Sequence, residues 1–210
     1  ELLKISGGLN RIIHYQDEIH GELNYEHCSK IQSRKRFHYK ELIRSGKIKV
    51  RDGVLRLIKE IADFNIKQFI VTTSGRESLE PFLYTSLYSH FNYFSRLITY
   101  EDVSNHKPFP DAYNLAVNLS KKSYKNCIAI EDSSIGVEAA KAANINCLLT
   151  LPPWSSNFQN ISKRANACVD TLGNNNNHSN HLVLLSALLI NSKSRWENVY
   201  SLPFKTAVTA

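Results

Sequence analysis

A doubly wound parallel α/β sheet, preceded by a small all-helical element, is the fold class that the sequence predicts. Two observations carry it. From Lys67 onward, short apolar runs alternate with stretches of helical periodicity, the signature of strands joined by crossover helices. Before about residue 48 there is no β-alternation, and apolar residues recur at helical spacing instead. At 210 residues and 42% hydrophobic, the chain can bury a core for one domain with a small companion.

The elements follow in order. Leu9 to Tyr25 and Cys28 to Ser45 carry helical spacing, through Ile12, Ile13 and Ile19 and then Ile31, Phe37, Leu42 and Ile43. Lys47 to Gly53 is a linker, and Val54 to Phe64 an amphipathic helix. Phe69 to Val71 is a strand, followed by Thr72, Thr73, Ser74 and Gly75 and a helix over Ser78 to Phe91. Arg96 to Tyr100 is the next strand, and a helix over Pro110 to Leu119 takes a proline near its first turn. Cys127 to Ile130 is a strand that delivers Glu131 and Asp132 to its C-terminal end. Val137 to Ala143 is a small-residue helix. Asn146 to Thr150 and Ala167 to Val169 complete the strands. Asn174 to Asn177 is a polar loop, His181 to Asn191 a last helix, and the tail from Ser192 has no clear pattern.

Charge and cysteines narrow the function classes. The formal charge is +7, and Lys and Arg crowd Arg34 to Arg51 with Glu41 the one acid among them. A solvated helix face and a site for small anions both account for that run. Nucleic acid does not, because no helix-turn-helix, zinc finger or stacking platform accompanies it. No apolar run approaches the roughly 18 residues of a membrane span. Cys28, Cys127, Cys147 and Cys168 are widely spaced with no Cys-x-x-Cys pair, which favours a reducing compartment. The expected location is cytoplasmic, with the plastid stroma an alternative. The expected oligomeric state is a monomer.

Three groups carry chemistry. Thr72, Thr73 and Ser74 place hydroxyls between a strand and a helix N-terminus, an arrangement suited to an anion. The same residues also suit a plain helix cap. Lys107, between His106 and Pro108, lies in a segment held extended by Pro108 and Pro110. Glu131 and Asp132 suit a hard cation such as Mg²⁺, which takes one or two protein carboxylates and keeps its waters. Each group falls at, or in a loop beside, a strand's C-terminal end, the edge where open parallel sheets bind ligands. Hydroxyls, an ammonium and paired carboxylates on one edge read as phosphate chemistry. The histidines form no His-x-x-x-His pair, and there is no Gly-x-Gly-x-x-Gly, Walker loop or Gly-x-Ser-x-Gly.

With these residues in place, the chain resembles the haloacid dehalogenase superfamily of phosphotransferases. The resemblance rests on Phe69-Ile-Val-Thr72-Thr73-Ser74, on Lys107-Pro-Phe-Pro-Asp-Ala-Tyr113, and on Ile128-Ala-Ile-Glu131-Asp132-Ser-Ser-Ile-Gly136. Within the superfamily it is most similar to CbbY-type sugar-phosphate phosphatases and the β-phosphoglucomutases. Further pointers are Leu2 to Ile12, Lys35 to Leu42, Arg51-Asp-Gly53-Val and Leu149-Thr150-Leu-Pro-Pro-Trp154.

The resemblance implies a Rossmann-like core over 49–205 and a helical cap over 1–48. It makes Lys107 and Thr72 catalytic, with Thr73 the alternative register for the key hydroxyl, and it makes Thr73 and Ser74 phosphate-binding. Arg11 and Lys35 match positions that contact substrate phosphate, and Glu131 with Asp132 would hold Mg²⁺. The implied activity is hydrolysis of a small sugar phosphate through an aspartyl-phosphate. A phosphomutase is the alternative, or a non-catalytic anion-binding protein. One departure is plain: the family's Asp-x-Asp pair, from the first core strand, occurs nowhere in this chain. With no methionine and Glu1 at its start, the chain is expected to be an N-terminally truncated piece of a longer phosphatase that lacks that strand.

Overall fold

The computed structural model describes residues 5, 7–21, 23–151 and 163–173. Expectations for the Pro-Pro-Trp154 segment, the asparagine loop, the last helix and the tail lie outside these residues. Two helices open the described chain, α1 over Gly8–His20 and α2 over Tyr25–Arg44. The first stops earlier than its apolar spacing predicts. Gly21 takes the left-handed conformation (φ 65°) and returns its N–H to Asp17 O, a glycine stop that needs no side chain. Asn24 then caps α2, its side chain accepting the His27 N–H at 2.9 Å.

Helix α3 spans Val54–Asp63 and buries Leu57 and Ile58. Gly53 precedes it at φ 80°, and a side chain there would run into the backbone of Leu172 and Gly173. The remaining elements alternate as expected: β1 Gln68–Val71, α4 Arg76–Leu83, β2 Phe94–Ile98, α5 Asp111–Ser120, β3 Ile128–Glu131, α6 Ser134–Ala142, β4 Asn146–Thr150 and β5 Ala167–Val169.

Several boundaries differ from the sequence reading, and three of them have an identifiable local cause. The helix expected to reach Phe91 ends at Leu83, and Tyr88–Tyr93 is a 3₁₀ segment. There the Thr85 hydroxyl donates to Pro81 O at 2.7 Å, competing for a helical acceptor. The second strand runs Phe94–Ile98, two residues early, because Thr99 already belongs to a capping box with Asp102. Helix α6 starts at Ser134 because the Ser133 side chain caps it, accepting the Gly136 N–H at 3.2 Å.

All strand pairs are parallel, but they form two sheets among the described residues, β1–β2 and β3–β4–β5. β1 and β3 therefore each keep one edge that pairs with no described strand. Between these edges runs a groove of about 910 Å³, lined by Phe69 and Val71 from one side and Ile128 to Asp132 from the other. Leu57, Tyr113 and Val117 also line it. The two sheets still share packing. Val71 packs against the main core of Tyr113, Val117, Ala129, Val137, Cys147 and Leu149. Leu148 and Leu149 are each 1% exposed, which removes about 2 kcal/mol of apolar surface per side chain from water.

Candidate active site

Thr72 follows β1 and Asp132 follows β3, and the two strand ends meet at one rim because Lys107 hydrogen-bonds to both Val71 O and Glu131 Oε1. Lys107 reaches that rim from the loop between β2 and α5. His106 anchors this loop by stacking on Tyr100 with ring centroids 3.7 Å apart, and Asn105 donates to Asp111 Oδ1 at 2.9 Å across it. The Lys107–Pro108 peptide is cis.

The centre of the site is a buried ion pair. The Lys107 Nζ donates to Val71 O at 3.0 Å and to Glu131 Oε1. It thereby links the end of β1 to the end of β3. Lys107 is 6% exposed and Glu131 8%. Tyr113, on the first turn of α5, donates its hydroxyl to the same Glu131 Oε1, and its ring centroid lies 5.0 Å from the Lys107 ammonium. Thr150 Oγ1 donates to Glu131 O at 3.3 Å. On the remaining side, a Cβ at Gly136 would collide with the Glu131 carboxylate, so only glycine admits that close approach. Burial, and then the Glu131 charge, push the Tyr113 hydroxyl well above its ordinary range. The same two causes raise the Cys147 thiol to about 12, which keeps it protonated and inert.

The hydroxyl cluster is only partly as expected. Thr72 N–H donates to Ile98 O at 3.0 Å, and its Oγ1 accepts the Ser74 N–H at 3.0 Å, leaving the hydroxyl proton free to donate. Thr73 is half-buried and Ser74 exposed. The N-terminus of α4 is not open to an anion, because the Glu101 carboxylate accepts the Arg76 N–H with both oxygens at 3.1 Å. Asp102 is held below its ordinary range by the Thr99 backbone N–H and hydroxyl, which both donate to it. An anion at this rim would therefore meet Thr72 to Ser74 and Lys107, without that helix end.

The two carboxylates expected to hold a cation part company. Asp132 is exposed, with no side-chain partner among the described residues, whereas Glu131 turns inward to Lys107 and Tyr113. No group of three or more His, Cys, Asp or Glu among the described residues is placed to hold a metal. One outward carboxylate fits a hard, oxygen-seeking ion that keeps most of its water, and not a tetrahedral zinc centre.

In the helical element, Arg11 on α1 and Lys35 on α2 come close enough to interact. Lys35 is held below its ordinary range by burial first and by the Arg11 charge second. Among the described residues neither side chain has a carboxylate partner. Arg36 and Lys40 on α2 instead pair with Glu77 on α4, at 3.3 and 2.7 Å.

Sequence reasoning missed Tyr113 and Arg51 as site residues. Tyr113 left one signal: an aromatic with a polar tip on the buried first turn of a helix needs a partner. Arg51 donates to Thr150 Oγ1 at 3.1 Å and to Leu151 O at 2.6 Å, bracing the strand end beside Glu131. No local pattern marks that contact, which spans about a hundred residues.

Comparison with known proteins identifies the family. A family model described as haloacid dehalogenase-like hydrolase matches residues 9–150. The chain is 30% identical over 161 residues to the plasmid-encoded protein CbbY of Cupriavidus necator, covering 74% of this chain and 63% of that protein. It is 31% identical over 97 residues to the validoxylamine A 7'-phosphate phosphatase of Streptomyces hygroscopicus subsp. limoneus, covering 46% of this chain and 45% of the relative. The chain thus spans less than two thirds of either protein. Among solved structures, it superposes with a TM-score of 0.71 and 25% identity on a variant of CbbY from Rhodobacter sphaeroides in complex with xylulose-(1,5)bisphosphate. That match covers 81% of this chain and 75% of that one.

Proposed function

We infer, because the chain belongs to the haloacid dehalogenase-like hydrolase family, that its strand-end rim is the phosphate-binding half of a sugar-phosphate phosphatase site. The observation that carries this reading is Lys107, which donates to Val71 O beside Thr72 while paired with Glu131. A lysine placed there serves an anion gathered by the hydroxyls. Thr72 donates to one phosphoryl oxygen, Thr73 and Ser74 complete the cradle, and Lys107 neutralises charge at the transferred group. Asp132 is the protein ligand for Mg²⁺, with Glu131 committed to Lys107. When bound, the ion adds charge neutralisation at the phosphoryl oxygens.

The nucleophile of this reading is an aspartate carboxylate on a strand seated in the groove between β1 and β3. Its attack forms a phosphorus–oxygen bond as the ester bond breaks and the sugar oxygen leaves. Water then hydrolyses the aspartyl-phosphate. The groove supports the reading, because it lies between two strand edges that pair with no described strand and is lined by Asp132. Helices α1 and α2 act as a cap in which Arg11 and Lys35 take the remote phosphate of the substrate. The complex of CbbY with xylulose-(1,5)bisphosphate favours a small phosphorylated sugar as that substrate.

The test is ³¹P NMR titration of the chain with inorganic phosphate in the presence of Mg²⁺, then with xylulose 1,5-bisphosphate. Saturable phosphate binding that Lys107→Ala abolishes, and tighter bisphosphate binding that needs Arg11 and Lys35, are the expected results. Phosphate binding unchanged by Lys107→Ala would overturn the site.

A further inference from the structure

We propose that Tyr113 is a positioning residue which, through Glu131, holds the Lys107 ammonium in the one orientation that leaves an N–H for a phosphoryl oxygen. This rests on the reading of Lys107 as a phosphate contact and names what aims it.

A lysine ammonium carries three donors on a flexible four-carbon stem. Here one donor goes to Val71 O and one to Glu131 Oε1, and the third has no acceptor among the described residues. The direction of that third N–H is fixed only if Glu131 is fixed. The Glu131 backbone is held in the β3–β4 ladder opposite Leu149, and its carbonyl accepts from Thr150 Oγ1. The carboxylate itself would still be free to rotate about its own bond. Tyr113 removes that freedom, because its hydroxyl donates to the same Oε1 that accepts from Lys107. The Tyr113 ring also floors the ammonium at 5.0 Å, and it is 6% exposed within the main core. The packing of α5 is thus transmitted through one hydroxyl and one carboxylate to the lysine at the rim.

A buried tyrosine that merely satisfies its hydroxyl would support folding alone, and the experiment separates the two roles. Inorganic phosphate is titrated with Mg²⁺ into the wild-type chain, Lys107→Ala, Tyr113→Phe and Tyr113→Leu, with thermal midpoints measured on each. Phosphate binding by the wild type and its loss in Lys107→Ala test the underlying reading by themselves. If positioning is correct, Tyr113→Phe keeps the ring and the fold but binds phosphate about tenfold more weakly, the effect of losing one hydrogen bond to a charged group. Tyr113→Leu, which also loses the aromatic floor, binds more weakly again. Wild-type affinity in Tyr113→Phe overturns the proposal whatever its midpoint does. Because a variant can fail to fold, the wild type supplies a second measurement, the ¹⁵N spectrum of its lysine ammonium groups. A sharp, exchange-protected Lys107 signal is expected, and a freely mobile one overturns the positioning role.

Discussion

Replacing Lys107 by methionine should be among the most destabilising single changes in this chain, and the structure says why. The side chains of Lys107 and Glu131 are 7% and 8% exposed, so water screens the pair weakly. At an effective dielectric near 20, unit charges about 4 Å apart attract by about 4 kcal/mol before desolvation. Removing one partner of such a pair costs about 3–5 kcal/mol, because the other charge stays buried and uncompensated. Glu131 would keep the Tyr113 hydroxyl as a donor, which places the expected loss at the lower end, about 3 kcal/mol. For a chain of this length that lowers the thermal midpoint by about 6–12 °C.

The assay is urea unfolding of the wild type, Lys107→Met, Glu131→Gln and the double variant, compared at constant slope. The double variant should be more stable than Lys107→Met alone, since neutralising both partners leaves no stranded charge. The exposed pair Lys59–Asp63, 58% and 57% exposed, serves as control, and Lys59→Met should leave the midpoint in place. A cost below about 1 kcal/mol for Lys107→Met, or strictly additive single effects, would refute the argument from burial.

Other outcomes follow from the same geometry. Asp132→Asn should weaken Mg²⁺ affinity, read by calorimetric titration, while leaving the unfolding midpoint unchanged, since this exposed carboxylate has no described partner. Gly136→Ala should cost about 1–3 kcal/mol in urea unfolding and weaken phosphate binding, because the new methyl displaces the Glu131 carboxylate. Arg11→Ala and Lys35→Ala should weaken xylulose 1,5-bisphosphate binding and spare inorganic phosphate; equal effects on both ligands would count against a cap subsite. Asp102, held below its ordinary 3.8 by Thr99, adds stability that is present above that value and lost as pH falls through its lower folded value. Asp102→Asn should therefore flatten the acid limb of the stability profile below about pH 4, measured by unfolding across pH.

The strand of Glu131 shows where reading the sequence reached and where it stopped. Cys127 to Ile130 followed by two acids was enough to place carboxylates at a strand end, and that placement depends only on local pattern. Which carboxylate points where depends on strand period. Ala129 and Glu131 share one face and are 5% and 8% exposed, whereas Ile130 is 38% exposed and Asp132 faces solvent. An alternation that buries an acid and exposes an isoleucine inverts the usual rule. It becomes intelligible only when Lys107 and Tyr113 are seen to converge on the buried face, and when the groove is seen beside Ile130. Both facts are long-range. The same limit explains the break after Leu83, where apolar spacing continues through Leu87 but a single hydroxyl, that of Thr85, competes for the backbone. It also explains the two sheets, since no local pattern encodes which strands become neighbours.

These long-range facts give the rim its chemistry. A rim made only of hydroxyls and two outward acids would repel a phosphate as readily as hold one. Turning Glu131 inward removes one negative charge from the surface and spends it on fixing Lys107, leaving Asp132 as the outward acid of the pair. The cost is a buried ion pair, which stabilises a fold less than apolar residues of the same volume would. Its compensation is orientation, because an ammonium held on two acceptors and an aromatic floor would not have to be reorganised to meet the phosphoryl group proposed to bind there. Stability is thus exchanged for preorganisation at the point where β1, β3 and α5 meet. A variant with both Lys107 and Glu131 neutralised should accordingly fold well and bind no phosphate.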